Sequence, residues 1–99
     1  MAYRPRWSNE MTDQFFNSIL LLENIEECYR FFEDVATINE IQDLSQRLEV
    51  ARMLQEGLIY EDIAEKTGAS SATISRVKKS LYYGADGYQK ILQKIKKIN

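Results

Sequence analysis

The chain contains no histidine, one cysteine, one proline, four glycines and no long apolar run. Without histidine, the zinc sites built from Cys and His, the Cys-His nucleophile pair and the Ser-His-Asp triad lack their parts. The single thiol, Cys28, has no partner for a disulfide within the chain; it reads as a small core hydrophobe, and its isolation points to a reducing compartment. The longest apolar stretch, Ile19 to Leu22, falls far short of the roughly twenty residues that cross a bilayer. Arg4 and Arg6 are followed by neither the apolar run nor the small-residue cleavage site of a signal peptide. The expectation is a soluble, cytoplasmic protein with no membrane or metal partner.

What is present is one domain's worth of chain: 99 residues, 44% hydrophobic and 28% charged, a globular composition. The net charge of −2 conceals an asymmetry. Residues 1 to 65 carry five basic side chains against fourteen acidic ones, whereas residues 66 to 99 carry eight basic side chains against Asp86 alone, +7 in the last third. Such a local excess can meet phosphates, because the field near a surface follows local charge more than the total. Read blandly, it is a solvated basic face balancing an acidic one.

Helix formers dominate, almost nothing interrupts helix before Gly57, and alternating strand patterns are scarce; the fold class predicted is all-α with about six helices. Ser8 or Asn9 can cap a first helix carrying Met11, Phe15, Phe16, Ile19, Leu20 and Leu22. Asn24 with Glu27 can form a capping box, with Cys28, Phe31, Phe32 and Val35 turned inward; Thr37 with Glu40 repeats the pattern ahead of Ile41, Leu44, Leu48, Ala51 and Leu54. Gly57 sits where a left-handed residue would end that helix. Asp86 can cap a last helix with Tyr88, Ile91, Leu92, Ile95 and Ile98 on one stripe and lysines opposite. The domain 1–99 thus divides into N-terminal helices (1–36), a central helix (37–57), a paired short-helix unit (58–81) and a C-terminal helix (86–98). The first two helices are too apolar for a chain this small to cover, which predicts dimerisation through 1–36.

Residues 58–81 carry the chemistry. Ala64 lies where two helices must cross closely, Gly68 four residues on permits a turn with positive φ, and Ile74 and Val77 can pack the second helix onto the first, the steric pattern of a helix-turn-helix. The second helix presents Ser70, Ser71, Ala72, Thr73 and Ser75, short side chains that allow close approach to base edges in the major groove. Arg76, Lys78 and Lys79 follow, suited to phosphates. The plain alternative is a helical hairpin with a glycine turn. Arg4, Arg6 and Trp7 form either a DNA-reaching arm or a frayed terminus with incidental charge.

Leu44-Ser45-Gln46-Arg47-Leu48, Leu54-Gln55-Glu56-Gly57, Gly68-Ala69-Ser70-Ser71-Ala72-Thr73-Ile74-Ser75-Arg76 and Ser80-Leu81 together resemble the tryptophan repressor superfamily, and within it the TrpR-like YerC/YecD proteins. The resemblance implies an intertwined all-α homodimer whose two reading heads enter successive major grooves of double-stranded DNA, with half-sites about one helical turn apart. It also implies a corepressor site: Arg47 and Arg76 match arginines flanking the tryptophan ligand, and Ser80 matches a serine at its amino end. A guanidinium suits such a ligand because it both stacks on a ring and pairs a carboxylate. Val77, however, replaces the glycine that leaves room for the indole. Val77 therefore argues against tryptophan and leaves another amino-acid-like corepressor, or none. The bland readings are an Arg47 ion pair with Asp43 or a neighbouring acid and a phosphate contact for Arg76.

The function predicted is a sequence-specific transcriptional regulator, a repressor, reading DNA through a helix-turn-helix. The alternative is a helical protein-interaction module acting on another regulator or on RNA polymerase without sequence-specific DNA binding. An enzyme is not expected: Glu26, Glu27, Glu33 and Asp34 sit at solvated helix spacings with no phosphate loop or base beside them.

Overall fold

The computed structural model describes residues 2–98, and among them six α-helices and no strand: α1 (Glu10–Leu20), α2 (Ile25–Val35), α3 (Ile38–Gln55), α4 (Tyr60–Thr67), α5 (Ser71–Tyr83) and α6 (Gly87–Ile98). The expected all-α class and helix count are both met. Internal contacts divide the chain into two units, Met1–Ile38 and Asn39–Asn99.

In the first unit, Asn9 caps α1 by accepting from the Thr12 amide at 2.9 Å, while the Thr12 hydroxyl accepts from the Asn9 amide at 2.9 Å. Two of the amides a helix start leaves unpaired are thereby satisfied. Asn9 rather than Ser8 is the cap, and Leu22 lies beyond the end of the helix. Asn24 likewise accepts from the Glu27 amide at 2.9 Å, but the Glu27 carboxylate accepts from the Glu23 amide, so the expected box closes one residue early.

Phe15 joins the two helices: its ring stacks on Phe31 at 6.0 Å between centroids and meets Phe32 edge-on at 6.3 Å. Aromatic pairs of this kind contribute about 0.5–1.5 kcal/mol beyond area burial. Even so, no residue of 2–38 is buried. Met11, Leu20 and Leu21 are 78–80% exposed. Cys28 and Val35, expected inside, are exposed as well, because two eleven-residue helices alone cannot enclose a core. The segment before α1 is engaged by it: Arg4 pairs with Asp13 at 2.9 Å, and the Trp7 and Phe16 rings lie 6.5 Å apart.

The second unit holds the core, built from Val50, Ala51, Met53 and Leu54 of α3, Ile63 of α4, Ala69, Ile74, Val77 and Leu81 of and before α5, and Leu92 of α6. Each large aliphatic side chain fully removed from water here contributes about 1.5–3 kcal/mol. On α3 the buried stripe includes Val50 and Met53, which the sequence reading missed, while Leu44 and Leu48 lie on an exposed face. On α6 the expected stripe splits: Leu92 is buried, Tyr88 and Ile95 pack at the core's margin, and Ile91 and Ile98 are exposed.

The helix ends follow local rules. α3 begins directly after Thr37. It ends in a reversal where the Leu58 amide donates to the Met53 carbonyl and the Gly57 amide to the Leu54 carbonyl, both at 3.1 Å, with Gly57 at φ +88° as expected. α5 runs two residues further than the expected Leu81, through Tyr83, and stops at Gly84.

Candidate nucleic-acid interface

α4 and α5 pack against each other around a turn in which Gly68 adopts φ +75°. Its amide donates to the Ala64 carbonyl at 2.8 Å, and the Thr67 hydroxyl both donates to the Ile63 carbonyl and accepts from the Ala69 amide. Ser70 then caps α5 by accepting from the Thr73 amide at 3.1 Å. Burial of Ile63 against Ile74 and Val77 fixes the pair, so the helix-turn-helix geometry read from Ala64, Gly68, Ile74 and Val77 is present.

Turning Ile74, Val77 and Leu81 inward decides which side chains of α5 face out: Ser71, Ala72, Ser75, Arg76, Lys78, Lys79 and Ser80 are all exposed. Ser70 and Thr73 differ from these. Their hydroxyls are bonded to each other at 3.1 Å, so both serve the cap first. Arg76 and Lys79 enter none of the four ion pairs formed among the described residues, whereas Arg52 is held between Glu49 at 2.8 Å and Glu56 at 2.6 Å. The positive charge of α5 is therefore unneutralised, and short polar side chains lie beside it.

Two residues that the sequence reading passed over shape this unit. The Gln46 side-chain amide donates to the Thr67 carbonyl at 2.9 Å, tying α3 to the turn. Its signal was a polar residue four positions before buried Val50, on the apolar side of the helix. The other is Tyr60, whose ring centroid lies 5.7 Å from the Lys78 ammonium. An aromatic at the first position of α4 was the only trace of it.

The residues expected to line a ligand site are distributed differently. Val77 is 2% exposed and is part of the core, so its side chain fills space rather than borders it. Arg76 and Ser80 lie on the exposed face of α5, and Arg47 is half-buried on α3. The Arg47–Asp43 ion pair considered above is not formed; the Arg47 charge instead acts on the Tyr88 phenol, opposing the upward pKa shift that burial imposes on it. A polar cleft of about 460 Å³ is lined by Gln55, Asp86, Gln89, Lys90, Gln93 and Lys96, none of them in the expected ligand set. Among the described residues no group of three Cys, Asp or Glu side chains could hold a metal ion, and no helix is long and apolar enough to cross a membrane.

Comparison with known proteins agrees with this architecture. A family model for the Trp repressor protein matches residues 10–96. The uncharacterized protein YerC of Bacillus subtilis (strain 168) is 64% identical over 84 residues, covering 85% of this chain and 81% of that protein. Among solved structures, a TrpR-like protein from Eubacterium eligens ATCC 27750 superposes with a TM-score of 0.86 at 57% identity, covering 88% of this chain and 90% of that one. A Staphylococcus aureus protein described as a putative Trp repressor superposes with a TM-score of 0.87 at 53% identity, covering 90% and 89%.

Proposed function

Because the chain belongs to the Trp repressor family, we propose that it is a dimeric DNA-binding transcriptional repressor that reads sequence in the major groove through α5. The observation carrying this reading is the exposed face of α5: Ser71, Ala72, Ser75, Arg76 and Lys79 stand outward on a helix whose opposite side is locked into the core. Short side chains let the helix approach base edges, where Ser71 and Ser75 donate or accept hydrogen bonds and Ala72 makes apolar contact. Arg76, Lys78, Lys79 and the lysines of α6 supply phosphate contacts, which carry affinity without sequence preference. The carboxylates of α4, Glu61, Asp62 and Glu65, repel phosphates and moderate non-specific binding.

The second copy in this proposal covers the apolar surface left open in residues 2–38 and at Leu44 and Leu48. Two reading heads then meet half-sites about one helical turn apart. Val77, packed in the core, stands where the resemblance calls for the glycine that leaves room for an indole, which argues against tryptophan as corepressor; an amino-acid-like ligand engaging Arg47, Arg76 and Ser80 would have to bind around it.

The test is binding of the purified protein to sheared genomic DNA with no small molecule added, followed by sequencing of the recovered fragments. Enrichment of fragments sharing a pseudo-palindrome is the expected result. Recovery without sequence preference at physiological salt would favour the protein-interaction module instead.

A further inference from the structure

On α5, Ser71, Ser75, Lys78 and Tyr82 recur at intervals of four, three and four residues and so form one stripe along the helix. Lys78 is therefore in line with two of the side chains assigned to base edges. It is also the only cation of α5 with a partner in the structure, and that partner is a ring: its ammonium lies 5.7 Å from the centroid of Tyr60. Tyr60 opens α4 and packs half-buried against the core, so its ring is backed on one side by that core.

The choice of partner has a chemical consequence. Glu61, Asp62 and Glu65 are exposed on the same helix as Tyr60, yet none forms an ion pair with Lys78. A carboxylate would neutralise the ammonium and occupy its donors, as Glu49 and Glu56 occupy Arg52. An aromatic face holds the cation through the ring quadrupole while leaving its charge in place and its N–H groups open to an outside acceptor. It also restricts a long, flexible side chain before binding, and restriction in advance reduces the entropy lost on contact.

We propose that Tyr60 is a positioning residue for DNA binding: its ring presents the Lys78 ammonium, still charged, to a phosphodiester beside the base-reading stripe of α5. This rests on the reading of α5 as the DNA-contacting helix, and the test separates the two.

Salt-dependent Kd values would be measured on a fixed duplex for the wild type, Y60F, Y60L, K78Q and the double variant Y60L/K78Q. Phenylalanine keeps the aromatic face, so Y60F should match the wild type. K78Q should flatten the slope of log K against log salt by about 0.9, the signature of one lost phosphate contact. Y60L should weaken binding by roughly three- to tenfold, and the double variant should be no weaker than K78Q alone, because both changes remove the same contact. In the free protein, the Lys78 ε-methylene protons should carry an upfield ring-current shift in the wild type and Y60F that disappears in Y60L. Wild-type binding by Y60L, or an effect that adds fully to that of K78Q, would overturn the positioning role alone. An unchanged salt slope for K78Q, an exposed substitution that does not disturb the core, would overturn it even if Y60L failed to fold. Failure of the wild type to bind any duplex would instead overturn the reading of α5, and this proposal with it.

Discussion

The Gln46 side chain on α3 reaches across to the carbonyl of Thr67, the last residue of α4, and donates a 2.9 Å hydrogen bond to it. Carbonyls at a helix end have no partner within the helix, and this one lies beside the turn that aims α5. The central helix therefore braces the α4–α5 turn through a side chain as well as through the core.

Replacing Gln46 by leucine keeps an apolar stem of similar length and leaves the Thr67 carbonyl without its donor. The expected cost is about 1 kcal/mol, or roughly 4–8 °C in Tm for a domain of this size. Amide hydrogen exchange at Gly68 and Ala69 should quicken more than in the core of α3. Exchange that quickens uniformly would mean that Gln46 acts on global stability only.

Gly68→Ala places a Cβ on a residue at φ +75°, which costs about 1–2 kcal/mol although its nearest neighbour, the Gln46 side-chain nitrogen at 3.9 Å, is at ordinary van der Waals distance. Gly84→Ala has a different penalty, since its Cβ would run into the Ser80 carbonyl, a backbone atom that cannot step aside. Thermal unfolding should therefore show both variants destabilised, with the end of α5 shifted in chemical-shift maps only for Gly84→Ala.

The bond from Arg52 holds the Glu49 carboxyl below the usual glutamate value, against the opposing effect of burial. A carboxylate whose folded pKa is depressed contributes stability above its unfolded pKa, and that contribution is lost as pH falls through the folded value. Stability from this pair should thus be full at neutral pH and fade below about 4.5, the ordinary value. Both side chains are about two-fifths exposed, so screening limits the pair to a few tenths of a kcal/mol. Arg52→Gln should lower Tm slightly at pH 7 and leave it unchanged at pH 3; an equal loss at both would indicate packing by the Arg52 stem rather than charge.

Val77 at the core predicts that tryptophan added to the wild type produces no saturable heat in calorimetric titration. Val77→Ala removes two buried methyl groups and should cost about 2 kcal/mol. Saturable tryptophan binding to the wild type would show that the ligand does not need the space Val77 fills.

Much of this unit was legible locally. Gly57, Gly68 and Ser70 announced the ends and starts of α3, α4 and α5 because capping and left-handed turns depend on residues within a few positions. Periodicity was less reliable where one helix has two apolar sides: on α3 it linked Leu44 and Leu48, which are exposed, with Ala51 and Leu54, which are buried. Cys28 and Val35 were misplaced for a related reason, since an apolar stripe reports that a face seeks cover but not that the same chain supplies it. The contacts of Gln46 with Thr67 and of Tyr60 with Lys78 join residues 21 and 18 positions apart, beyond what a pattern within one element can register.

The most direct test of sequence reading by α5 is fluorescence anisotropy of the wild type and Ser75→Ala on an enriched duplex and on its scrambled counterpart at physiological salt. The wild type should bind the enriched duplex at least about a thousandfold more tightly, and Ser75→Ala should narrow this ratio with little change on the scrambled duplex. Equal affinity of the wild type for the two duplexes would contradict sequence reading by α5.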